Sequence, residues 1–106
     1  METTAQLAKD VKKHIKQVAV IEMWGQPLWA PGNVWYDVED VKGDADVLRL
    51  QLVVPKGERP ILEVVGPKSA KVSGDRLVVG EVRLLRWSGE EFKPPPGAKG
   101  PALIVR

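Results

Sequence analysis

The stretch Arg59–Trp87, RPILEVVGPKSAKVSGDRLVVGEVRLLRW, constrains the fold more than any other part of the chain. Its branched aliphatics come in short runs, Ile61–Val65, Val72, Leu77–Val79 and Val82–Leu85, and Gly-Pro, Ser-Gly-Asp and Gly interrupt them. Short apolar runs bounded by turn residues signal strands joined by tight connections, a β-meander. Ala70–Ser73 and Arg76–Val79 flank Gly74-Asp75 as a hairpin, Gly80 marks a bulge or kink, and Val82–Trp87 returns as a further strand.

The segment before it extends the sheet. Val47–Val54 (VLRLQLVV) alternates, with Leu48, Leu50, Leu52 and Val54 on one face and Val47, Arg49, Gln51 and Val53 on the other. The mixed second face is expected to be partly covered or to meet a partner. Residues 55–58 form a loop that pairs Ile61–Val65 back onto this strand.

The N-terminal segment has a different period. Leu7, Val11, Ile15 and Val18 recur at spacings that place one apolar stripe on a helix over about residues 4–17, with Thr3 and Gln6 in capping-box positions. Lys9, Lys12, Lys13 and Lys16 fall on the opposite face. They read as a solvated surface or as a stripe able to contact nucleic-acid phosphates. His14 is the sole histidine and sits at the edge of the apolar stripe. After Gln17, the β-branched residues of Val18–Trp24 favour a strand.

Residues 24–36, WGQPLWAPGNVWY, carry Trp24, Trp29, Trp35 and Tyr36 among Gly25, Pro27, Pro31 and Gly32. Prolines and glycines at these spacings forbid a continuous helix or a central strand, so the segment reads as an irregular aromatic loop. Such rings either plug the end of a small sheet or form a platform for a protein partner, a sugar or a nucleic-acid base. Asp37–Asp46 follows as an acidic connector. Its spacing does not fit a calcium loop of the helix–loop–helix type. Residues 88–101 form a linker stiffened by Pro94, Pro95 and Pro96. The terminal ALIVR, residues 102–106, is expected to add a strand to a sheet edge, in its own chain or in a neighbour, through Leu103, Ile104 and Val105.

The fold expected is α+β: an N-terminal amphipathic helix packed on a curled antiparallel sheet or small barrel of about five to six strands. The 106 residues suit one domain. Without cysteine, disulfides, thiolate catalysis and Cys-based metal sites are excluded. No residue pattern calls for a metal or another cofactor. The charged N-terminus is not a signal peptide, and no apolar run reaches the length that spans a bilayer, so a cytoplasmic protein without membrane contact is expected. The net charge of +2 implies no partner by itself. The distribution is uneven: Asp37, Glu39, Asp40, Asp44 and Asp46 face only Lys42 in their segment, and basic residues outnumber acids after it.

Three functional classes follow. The first is a non-catalytic interaction or assembly module, self-associating or binding another protein through Trp24, Trp29, Trp35, Tyr36 and the strand Leu103–Val105. The second is a nucleic-acid binder that uses Lys9, Lys12, Lys13 and Lys16 with the loop tryptophans. The acidic connector beside that loop argues against it by repelling phosphate. The third is an enzyme with an acid–base couple drawn from the acidic connector.

Overall fold

The computed structural model describes residues 4–28, 35–54, 57–98 and 100–106. A helix, α1 (Thr4–His14), leads into β1 (Gln17–Val18), β2 (Ile21–Met23), β3 (Gln26–Pro27), β4 (Tyr36–Asp44), β5 (Val47–Val53), β6 (Ile61–Val65), β7 (Ala70–Ser73), β8 (Arg76–Val79), β9 (Leu84–Trp87), β10 (Glu90–Phe92) and β11 (Leu103–Val105). The strands form a six-stranded sheet in the order β1-β4-β5-β6-β9-β10 and a five-stranded sheet in the order β3-β2-β11-β8-β7. The first sheet is strongly curled, a half-barrel, and the helix packs on it. The fold is α+β, as the sequence led us to expect.

One hairpin belongs to both sheets. Leu62 faces Trp87 in the first sheet, Ala70 faces Val79 in the second, and Ser73 faces Arg76 at the tip. The register does not slip between them. Residues 61–87 are therefore a single antiparallel ribbon, bent where Gly66-Pro67 lies across from Glu81–Arg83. The bend keeps its ladder: the Lys68 amide donates to the Glu81 carbonyl at 2.9 Å, and the Arg83 amide to the Val65 carbonyl at 2.9 Å. A second corner lies at Ala19–Val20, where the chain leaves β1 in the first sheet for β2 in the second.

The core lies between the sheets and under the helix. Leu48, Leu50, Leu52, Leu62 and Leu85 from the first sheet meet Ile21, Leu77, Val79, Leu103 and Val105 from the second. Leu7, Val11, Ile15 and Val18 cover this layer as one buried stripe. No polar or charged side chain is buried among the described residues. The N-terminal end of α1 rests directly on strand backbone. A Cβ on Gly43 would lie 2.0 Å from the Thr4 carbonyl oxygen, so only glycine admits this approach.

Four sequence expectations are corrected. First, the helix ends at His14 instead of continuing to Gln17. The Lys16 carbonyl accepts the Val38 amide at 2.9 Å, and Gln17 and Val18 pair with Asp37 and Tyr36, so sheet bonds replace helical ones there. Thr3 of the expected capping box lies outside the described residues.

Second, the acidic connector is a strand. Tyr36, Val38 and Val41 pack inward across a bulge at Glu39, where the register with β5 shifts. The bulge changes the apolar spacing from two to three, which hides the strand period in the sequence.

Third, the linker begins as a hairpin. Ser88 (φ 51°) and Gly89 (φ 90°) make a tight turn, and β10 pairs with β9. Trp24 (φ 50°) and Gly25 (φ 83°) do the same between β2 and β3, so the aromatic segment is regular at its start. Both turns have the two positive φ angles of the type that matches strand twist.

Fourth, the terminal strand is central rather than at an edge. β11 pairs with β2 on one side and β8 on the other.

Candidate binding cleft

The second corner opens a cleft. Where the chain leaves the first sheet, the Ala19 and Val20 amides both donate to the Arg106 carbonyl at 2.8 Å, and the Arg106 amide donates to the Val20 carbonyl at 3.0 Å. These bonds form a floor of backbone. Around it stand His14 at the end of the helix, Lys16 just after it, Trp35 just before β4, Asp37 in β4, and Asp75 and Arg76 at the tip of the bent ribbon. The open cleft between them has a volume of about 730 Å³. Small-molecule and cofactor sites commonly occupy about 300–1,000 Å³.

Trp35 gives the cleft its character. It is 57% exposed and is the one exposed large hydrophobic side chain among the described residues. An indole left in water forfeits the burial that a core ring gains. The cations nearby are also uncommitted. Among the described residues, no ion pair joins Arg76 or Arg106 to a carboxylate, and the Lys16 ammonium donates only to the Lys12 carbonyl, at 2.7 Å. Of the two carboxylates in the wall, Asp37 accepts a hydrogen bond from Gln17 Nε2 at 3.1 Å. The cleft thus combines an aromatic face with three cationic side chains against two carboxylate side chains.

Three of the four remaining acids of the former connector are paired elsewhere, and Asp44 alone makes no ion pair among the described residues. Asp40 pairs with Lys12 at 3.2 Å and with Lys42 at 3.9 Å, Glu39 pairs with Arg59, and Asp46 pairs with Arg83 at 3.1 Å. The Lys12 hydrogen bond holds the Asp40 carboxyl below its ordinary range, with the Val41 amide and the Lys42 charge adding to the effect. A general acid needs the opposite shift. The outer face of the half-barrel is laced in the same way. Lys42, Arg49, Glu63, Arg86 and Glu91 lie in register across β4, β5, β6, β9 and β10. Arg49 meets Glu63 at 2.9 Å, and Arg86 meets Glu91 at 3.2 Å. The mixed face of β5 is therefore a row of cross-strand ion pairs.

The residues singled out in the sequence divide sharply. Trp35 and Lys16 come together in the cleft. Trp24 is half-buried at the turn after β2, packed against the core, and shares a separate groove of about 620 Å³ with Leu28, Phe92 and Pro95. Tyr36 is half-buried, meets Trp87 edge-on at 5.8 Å between ring centroids, and has its hydroxyl pKa raised by burial and by Glu58. Trp29 lies outside the described residues. Lys9, Lys12 and Lys13 are exposed on the helix and do not line the cleft. Leu103 and Val105 are fully buried in the chain's own core, and Ile104 is half-buried between its two neighbours.

Asp75, Arg76 and Arg106 are additions that sequence reasoning missed, and His14, read in the sequence only as a residue at the edge of the apolar stripe, joins them. Arg76 had one usable signal, its place just after the hairpin turn. Its approach to Trp35 depends on the bend of the ribbon, which local pattern does not encode. Among the described residues, no group of three or more His, Asp or Glu side chains is placed to hold a metal ion. No helix among them is long and apolar enough to cross a membrane. No family model, curated protein or solved structure matches this chain.

Proposed function

We propose that this protein is a small non-catalytic interaction module that captures an anionic partner in the Trp35 cleft. The observation that carries this reading is the exposed indole standing beside Lys16, Arg76 and Arg106, none of them held by a carboxylate among the described residues. An aromatic face and free cations around one concavity form a recognition surface that core packing does not require. The cysteine-free composition accords with a reducing, cytoplasmic setting.

Self-association draws less support. Its strongest sequence argument was the apolar C-terminal strand, and β11 uses both of its edges within the chain. The ion-pair row on the half-barrel is likewise satisfied internally.

The test is a calorimetric titration with polyphosphate at low salt. Saturable binding is expected, and Lys16→Gln with Arg76→Gln should weaken it while the melting temperature stays unchanged. Absence of binding by polyphosphate and by nucleic acid alike would overturn the reading.

A further inference from the structure

We infer that the anionic partner is single-stranded nucleic acid, with a base stacked on Trp35 and its phosphates beside Lys16, Arg76 and Arg106; the inference rests on the cleft reading above. A partner that offered only negative charge would have no use for an exposed indole. A single strand offers both parts at short repeat: a flat base and, next to it, a phosphate. Proteins that bind such strands pair a cationic groove with aromatic platforms. In a duplex the bases are stacked on one another and present no face to an indole, so the strand must be single or locally opened.

The electrostatics permit this. The segment Asp37–Asp46 looks hostile to phosphate in sequence, but Glu39, Asp40 and Asp46 are each neutralised by a cation from another part of the fold. Of that segment only Asp37 faces the cleft, and Gln17 engages it. Asp75 stands next to Arg76 at the ribbon tip. Carboxylates at such positions can accept hydrogen bonds from exocyclic base amines, as they do from cytosine. With three cationic side chains against two carboxylate side chains, the affinity is modest and depends on the stacked base.

The experiment is fluorescence anisotropy with a labelled oligothymidylate of about twelve nucleotides, within the span such sites cover. Polyphosphate of matched charge, the corresponding duplex and a neutral oligosaccharide serve as competitors. The expected result is binding to the single strand in preference to all three competitors. Trp35→Ala should weaken it by roughly 5- to 150-fold, the range for loss of one stacked base, and Trp35→Phe should recover most of the loss. Circular dichroism of both variants should match the parent. Polyphosphate competing as well as the oligonucleotide, with no effect of Trp35→Ala, would overturn this inference and leave the anionic-partner reading standing. A duplex that binds as well as the single strand would overturn the stacking model. Competition by the neutral sugar alone, or no binding to either anion, would overturn both readings.

Discussion

The terminal strand β11 and the Trp35 cleft lie at the two ends of one stretch of backbone, since Arg106 follows β11 directly and its carbonyl anchors the cleft floor. In sequence the apolar run that holds the strand, residues 102–105, invites the idea of an interface, and the cleft shows nothing continuous at all. In the fold the roles reverse. Leu103 and Val105 are fully buried and hydrogen-bonded on both sides. The cleft gathers side chains from the helix end, two strands and a ribbon tip into one exposed concavity. An apolar run close in sequence reports on stability. A mixed set of aromatic and charged groups converging from distant positions reports on recognition.

That contrast breaks if the two regions do not separate in experiment. The largest effect is expected at the strand. Leu103→Ala should cost about 2–5 kcal/mol in urea unfolding, the range for a fully buried leucine that leaves a cavity. The protein that remains folded should bind the oligonucleotide as before. A loss below about 1 kcal/mol would place Leu103 at the surface.

Gly43→Ala should come next, because it touches both regions. Its Cβ would collide with the Thr4 and Ala5 backbone, which cannot rotate aside as a side chain can. The helix must shift, at about 1–3 kcal/mol. Because its end supplies His14 and leads into Lys16, binding should weaken as well. Unchanged stability would mean that the helix does not rest on β4.

The smallest effect sharpens the contrast from the electrostatic side. Asp40 has a carboxyl pKa lowered from 3.8 by its hydrogen bond from Lys12. A lowered folded-state pKa means a contribution present above the unfolded value and lost as pH falls through the folded one. The stability gap between the parent and Asp40→Asn should thus be visible at neutral pH and vanish in acid below the ordinary carboxylate range. A gap that persists at the lowest pH would assign the effect to packing.

Much of the scaffold was legible because its signals are local. The alternation of Val47–Val53 and the turn at Gly74-Asp75 both specify strands without help from distant residues. The stripe Leu7, Val11, Ile15 and Val18 is buried as expected, even though the helix stops at His14. What stayed hidden depends on long-range geometry. The bulge at Glu39 breaks the period of β4, and the bend near Gly66 carries one hairpin into two sheets. Both decide where Asp37, Arg76 and Trp35 end up. The lysines of the helix face were visible, but only Lys16 reaches the cleft, because the chain abandons the helix just before it.

The central claim is that recognition resides in the cleft, and the salt dependence of single-strand binding tests it most directly. For single strands the slope of log K against log salt is about −0.7 per neutralised phosphate. Replacing Lys16 and Arg76 together by glutamine should make the slope shallower by about 1.4 and leave the melting temperature in place. The same charge change at Lys42 and Arg49, on the ion-pair row, should leave the slope as it was. Equal slopes for the cleft variant and the parent, or an equal loss from the Lys42 and Arg49 pair, would contradict the account.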